Sequence, residues 1–398
     1  MKILQIVNYY YPNVGFGGPV QCTYYLSRYM VEKGHEVTVY TTDASDRNSK
    51  ERMREKSQVI DGARVFFFPN VSKHYGLFID PGLLSVMRST INDFDVVHLH
   101  EYRTFQNLVF YYSRRNHVPY VLSPHGELEY SYKQRSDISF LRGLYGFMFG
   151  KNLVLHADKL LALTKLESLQ FSKLGVEKDK ITIIPNAINE TDYLNPPPKG
   201  HFRKSFGLGE EQIILYLGRI AEQKGIDTLV TAFSALKRKR TLKLVLAGPD
   251  YGFLPYLKNM VSDLNLENNV LFTGRLNRQE VMAAYNDASV VVYATQSEGF
   301  PLVPLEAGAM GRPTIVSNHP SMDFVREGKF GLSVEYGNLA QLKKALETIL
   351  EDGALARRLG QNGKSYVLEN FSWNIIAKKV EDIYHEVATR HNLSETRT

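Results

Sequence analysis

Residues 289–318 read SVVVYATQSEGFPLVPLEAGAMGRPTIVSN. SVVVYAT (289–295) is a β-branched, apolar run, and QSEGFP (296–301) is a turn. LVPLEAGAMG (302–311) is a short apolar helix that Gly311 closes, and PTIVSN (313–318) is a second strand. Strand, crossover helix and strand make the βαβ unit of a parallel sheet. The strands are continuously apolar rather than alternating, so both faces of that sheet must be covered. One residue is out of keeping. Glu306 is the only formally charged side chain between Gly299 and Gly311, and Glu298 stands eight positions before it in the turn.

The same rhythm extends in both directions. Upstream, strands are expected at 2–7, 35–42, 64–69, 95–100, 120–125, 158–164 and 181–186, with a helix over 20–34 that Gly34 ends. It restarts with strands at 212–219, 242–248 and 269–274. Between the two series lies NETDYLNPPPKGHFRKSFG (189–207), with three consecutive prolines and no periodic pattern. The expected organisation is two tandem doubly wound, Rossmann-like α/β domains. The first spans 1–190 and the second 208–373, joined by a linker over 191–207, and a last helix, 374–392, completes the first. Ligands of such sheets bind at the carboxyl ends of the strands, so a ligand shared by two of them would lie in the cleft they face.

Composition narrows the function classes. At 398 residues the chain exceeds one ordinary core. Its 43% hydrophobic and 23% charged residues are those of a globular protein. No uncharged apolar run approaches the roughly 18–20 residues of a membrane span. A single cysteine, Cys22, excludes an internal disulfide framework and suits a reducing, cytoplasmic setting. The net charge of +6 comes without a basic stripe interleaved with stacking aromatics, so nucleic acid is not an expected partner. A polyanionic small ligand or an anionic membrane surface accounts for the surplus equally well.

The candidate site residues lie where strands end. The helix after SVVVYAT begins without a charged side chain in its first turn, so the amides of Phe300, Pro301, Leu302 and Val303 are expected to face an anion. Glu306, a turn further in, requires hydrogen-bond donors: hydroxyls of a ligand such as a ribose, or a structural partner such as a lysine. Glu298 points at what lies beyond the phosphates or is a solvated turn residue. In YLGRIAEQKG (216–225), Arg219 and Lys224 follow a strand end, where they suit a diphosphate as well as a solvated surface. NYYYPNVGFGGPVQ (8–21) places Gly17 and Gly18 between the first strand and its helix, as a phosphate-approaching turn or a plain connector. SPHGELE (123–129) sets His125 at a strand end, with Gly126 allowing close approach. His98 and His100 are read as structural. Asp93 and Asp95 precede their strand, away from the ligand edge, and no metal site is expected.

Taken in order, the glycine loop, DVVHLH (95–100), SPHGELE, IIPNAI (183–188), YLGRIAEQKG, LVLAGPD (245–250) and E-x7-E resemble the retaining GT-B glycosyltransferases of family 4. The resemblance implies transfer of a sugar from a nucleoside diphosphate sugar, with no metal and no other cofactor. It assigns Glu306 to the nucleotide ribose, Glu298 to the donor sugar, and Arg219 and Lys224 to the diphosphate. Residues 300–303 and Gly17–Gly18 fall beside the phosphates, His125 near the anomeric carbon, and Arg275 where the backbone meets the base. HPSMDFV (319–325), with Asp323, departs from the family's usual glycine pair and glutamate. The expected acceptor is a glycan, glycolipid or lipid-linked sugar. LEYSYKQRSDISFLRGLYGFMFGKNLVLHA (128–157), rich in cations and aromatics, reads either as a peripheral membrane-facing element or as a core helix. A nucleotide-sugar 2-epimerase and a non-catalytic nucleotide-sugar-binding subunit are the alternatives.

Overall fold

A computed structural model describes residues 1–12, 18–44, 52–72, 78–126, 146–236 and 241–395. The chain divides into two compact units: Met1–Asn186 together with Trp373 onward, and Ala187–Ser372.

The first unit is built on eight strands: β1 (Lys2–Ile6), β2 (Glu36–Thr42), β3 (Ser57–Ile60), β4 (Ala63–Phe68), β5 (Val96–His100), β6 (Tyr120–Ser123), β7 (Lys159–Ala162) and β8 (Ile181–Ile183). Their order is β3-β4-β2-β1-β5-β6-β7-β8. Every pairing is parallel except β3 with β4. The strand order reverses direction between β1 and β5, which is where a doubly wound sheet opens a crevice at its carboxyl edge. Helix α1 (Gly18–Glu32) follows β1 and buries Val20, Leu26 and Met30. The last helix, Trp373–Glu395, packs on α1, stacking Trp373 on Tyr25 and burying Ile376, Val380 and Tyr384.

The second unit has six strands, all paired in parallel: β9 (Gln212–Leu217), β10 (Leu242–Ala247), β11 (Val270–Gly274), β12 (Ala288–Tyr293), β13 (Thr314–Ser317) and β14 (Gly331–Val334). Their order, β11-β10-β9-β12-β13-β14, reverses between β9 and β12. Helices α2 (Ile226–Ser234), α3 (Arg278–Asp287) and α4 (Leu302–Ala309) run in the connections. Ile213, Leu215, Val245 and Val291 are fully buried, as two covered faces demand.

One expectation of the fold needs revision, and two short strands were not anticipated. Residues 191–207 contain two short helices, Thr191–Leu194 and His201–Ser205, that belong to the second unit. Tyr193 and Phe202 are buried in its core, and the Asp287 carboxylate accepts from the Gly200 and Arg203 amides at 2.6 and 3.1 Å. Helices of four and five residues are too short to show a period, so composition alone suggested a linker there. Strands β3 and β14 also went unread. Both are four residues long; β3 reaches β4 through Asp61 and Gly62, whose φ values of 44° and 83° suit a two-residue hairpin turn.

The edge beside β9 depends on one close approach. A Cβ on Gly248 would stand 1.7 Å from the carbonyl oxygen of Gly218, and Gly248 has φ 147°. Gly248→Ala is therefore expected to destabilise the second unit by roughly 2–4 kcal/mol. Urea unfolding of the variant checks this, and an unchanged midpoint would contradict it.

Candidate functional site

The second unit gathers its polar groups at the β9/β12 reversal. β9 ends at Leu217, Gly218 takes φ 149°, and the chain then runs through Arg219 to a single turn over Glu222–Lys224. The turn after β12 lies against it. The Gln296 amide donates to the Gln223 carbonyl at 3.0 Å, and a Cβ on Gly225 would come within 2.7 Å of the Ala294 carbonyl oxygen. Gly225 also has φ 65°, so two separate constraints favour glycine there.

Across this junction Lys224 pairs with Glu298, their side chains only 3% and 12% exposed. Tyr293 donates its hydroxyl to the same carboxylate oxygen at 2.9 Å, and Lys224 lies over the Tyr293 ring. Burial pulls the Lys224 ammonium below the ordinary lysine range while Glu298 works to hold its proton. Arg219 lies over the Tyr251 ring, 5.2 Å from its centre. Two cations and one carboxylate thus share one strand edge, with the carboxylate already committed to Lys224.

Helix α4 starts at Leu302 with no side-chain cap, so its first-turn donors have no capping oxygen. Pro301 carries no N–H and Pro304 none either, so the donors expected over 300–303 reduce to Phe300, Leu302 and Val303. Phe300 stacks on Phe324, 4.7 Å between ring centres, which anchors the turn from below.

Glu306 is buried, and the protein itself satisfies it. Arg278 Nη1 donates to Oε1 at 2.9 Å, the Tyr193 hydroxyl to Oε1 at 3.1 Å, and the Tyr285 hydroxyl to Oε2 at 2.9 Å. Burial, then Glu306, holds both phenols well above their ordinary range, so both stay donors. Arg278 continues to Asp192 at 3.1 Å. The structural partner is an arginine and two tyrosines rather than a lysine, and none was singled out from sequence. Arg278 follows the helix cap Asn277, whose capping box with Glu280 was a readable signal for where α3 begins. Nothing near Tyr193 or Tyr285 marked either as a partner. Arg275 is exposed in the turn between β11 and α3.

In the first unit His125 follows β6 with φ 56°, and Gly126 has φ 82°. The buried Glu167 carboxylate fixes this left-handed pair, accepting from the Gly126 amide at 3.0 Å and the Leu163 amide at 2.6 Å. His125 Nε2 lies 2.9 Å from His100 Nδ1, and burial pulls its pKa down to about 4, so the ring is neutral. His98 and His100 share one buried face of β5, away from solvent. Glu101, φ 66°, ends β5 beside them and accepts from Asn8 at 2.5 Å and Tyr9 at 2.6 Å. Gly18 is the first residue of α1, with nothing within 4 Å of where a Cβ would stand; Gly17 lies outside the described residues.

Of 128–157, residues up to 145 lie outside the described part, and Leu153 and Val154 are core residues. Among the described residues no helix is long and apolar enough to cross a membrane. One ligand-type cluster escaped the spacing argument because 346 residues separate its members: His35, Glu381 and His385. Glu381 is already bonded to His35 at 2.9 Å and Lys378 at 3.1 Å, and His35 precedes β2, at the amino edge of the sheet. Asp95, also at that edge, accepts from the Lys2 amide at 2.7 Å.

Residues 16–192 match the family model described as Glycosyltransferase Family 4, and residues 199–366 the one described as Glycosyl transferases group 1. An uncharacterised glycosyltransferase of Methanocaldococcus jannaschii is 28% identical over 96% of this chain and 98% of its own. Sucrose-phosphate synthase of Thermosynechococcus elongatus shares the fold with a TM-score of 0.76 at 22% identity, over 98% of this chain and 100% of that one. The Anabaena protein HepE, in complex with UDP-glucose, does so at 0.76 and 18%, over 97% and 100%. The two models together span most of a chain built of two doubly wound units: the chain belongs to the family 4 glycosyltransferases of GT-B fold and is a nucleotide-sugar-dependent glycosyltransferase.

Proposed function

We propose that this enzyme moves a sugar from a nucleoside diphosphate sugar to a hydroxyl of a glycan, glycolipid or lipid-linked acceptor, with retention at the anomeric carbon and without a metal. The observation that carries this reading is the β9/β12 junction, where Arg219, Lys224 and the uncapped start of α4 converge with Glu298. Support for the donor class comes from the Anabaena neighbour, which holds UDP-glucose in the same fold.

In the proposed reaction the bond between the anomeric carbon and the β-phosphate oxygen breaks, and the acceptor oxygen bonds that carbon on the same face. The acceptor's proton goes to the departing phosphate oxygen. Charge growing on the diphosphate meets Arg219, Lys224 and the amides of Leu302 and Val303. Glu298 keeps Lys224 charged and in place and offers its carboxylate to donor-sugar hydroxyls. Glu306, held by Arg278 and Tyr285, accepts from the ribose with lone pairs its protein donors leave over. A peripheral, anionic membrane surface would suit a lipid-linked acceptor.

Removing one charge-stabilising donor costs on the order of 10²–10³ in turnover. Lys224→Ala and Arg219→Ala are expected to lose turnover on that scale when acceptor-dependent nucleoside diphosphate release is followed. Full turnover with unchanged donor affinity would overturn the clamp. Proton NMR of the product tests retention, which predicts the donor's anomeric configuration; an isomerised nucleotide sugar formed without acceptor would point to an epimerase.

Glu306→Ala is expected to weaken nucleoside diphosphate binding by about tenfold or more, read by titration calorimetry. Glu298→Gln should impair use of the intact donor by a factor of at least about ten, and by more than it weakens nucleoside diphosphate binding through Lys224. The reverse pattern would contradict both roles.

A further inference from the structure

The buried side chains behind His125 form a continuous hydrogen-bonded chain within the first unit. Gln5 on β1 is fully buried, with Oε1 2.5 Å from His100 Nε2 and Nε2 3.4 Å from the Tyr384 hydroxyl. His100 Nδ1 meets His125 Nε2 at 2.9 Å. On the other branch the Tyr384 hydroxyl lies 2.6 Å from His98 Nδ1, and His98 Nε2 lies 2.7 Å from Ser123 Oγ. His98 and His100 are 1% and 2% exposed, and Tyr384 is fully buried. Burial holds both strand histidines well below their ordinary range, so each ring carries a single proton.

A neutral imidazole donates from one nitrogen and accepts at the other, so a chain of such rings has only two self-consistent arrangements. Gln5 decides between them. Its carbonyl oxygen faces His100 and accepts only, so His100 carries its proton on Nε2 and its Nδ1 is a lone pair. His125 must then donate from Nε2, which leaves Nδ1 as an acceptor. The Gln5 amide faces Tyr384, so the phenol oxygen receives that donor and gives its own proton to His98 Nδ1. His98 then donates from Nε2 to Ser123. Had the amide faced His100, all three rings would carry the proton on Nδ1 instead, and His125 would present a donor. Among the described residues Nδ1 of His125 has no hydrogen-bond partner.

We infer that Gln5 and His100 are positioning residues that fix His125 as its Nε2–H tautomer, so that Nδ1 accepts a hydrogen bond from a hydroxyl of the substrate. The hydroxyl's identity as one on a sugar rests on the glycosyltransferase reading above; the tautomer does not.

The test is long-range ¹H–¹⁵N NMR of the full chain labelled at histidine, without substrate, with the His125 signals assigned by their loss in His125→Phe. The expected spectrum shows His125 protonated on Nε2 and unprotonated on Nδ1, with His98 and His100 alike. A ring protonated on Nδ1 would overturn the inference, and this measurement needs no variant of the network. Gln5→Met removes the acceptor while keeping the bulk, and should shift His125 away from the pure Nε2–H form. Its kcat is expected to fall about three- to tenfold, as for one lost hydrogen bond, with donor KM within about twofold. Gln5→Glu, which still accepts from His100, should restore the Nε2–H signature. A shifted tautomer with unchanged kcat would overturn the positioning role. Should the wild-type chain transfer no sugar from any donor while His125 gives the Nε2–H spectrum, the glycosyltransferase reading fails and the tautomer stands.

Discussion

The buried pair of Lys224 and Glu298 is the constraint on which the second unit's functional edge depends. Neither charge is tolerable alone in that setting: removing one partner of a buried pair leaves the other uncompensated, typically at 3–5 kcal/mol. The loop after β9 and the turn after β12 must therefore stay in contact, and the chain makes that contact possible with Gly225. A side chain there would press on the Ala294 carbonyl. The Gln296-to-Gln223 hydrogen bond closes the junction at backbone level. These two loops leave the strands at which the sheet reverses, the position where doubly wound sheets admit ligands in general.

Glu306 shows a different solution to the same problem. Its carboxylate is held by Arg278, Tyr193 and Tyr285, so the protein alone orients it. Lys224 is likewise prepared by Glu298. Groups fixed in advance need no reorganisation when charge develops on a leaving group, which is the condition under which electrostatic stabilisation is most effective. The first unit follows the same logic with neutral groups, where Glu167 sets the backbone at His125 and Gly126 and His100 engages the ring.

Much of this was legible in the residues. Continuous apolar runs between helices identified parallel sheets covered on both faces, and Glu306 stood out because it interrupts such a segment. Arg219, Lys224, Glu298 and His125 were expected after strands, and the structure places them there. What escaped has physical reasons. Glu306 is reached by Arg278 across 28 residues and by Tyr193 across 113, separations that no local pattern encodes. The helices around Tyr193 and Phe202 are too short to repeat the helical period, and β3 and β14 are shorter than a decisive alternation. The missing amide of Pro301, by contrast, was in plain view.

Hydrogen–deuterium exchange of the full chain with and without a saturating nucleoside diphosphate tests the central claim most directly. If the β9/β12 junction and the start of α4 hold the diphosphate, slowed exchange in the second unit will concentrate at residues 218–225 and at the amides of Phe300, Leu302 and Val303. Protection centred on the amino edge of either sheet, with those two segments unchanged under saturating ligand, would contradict it.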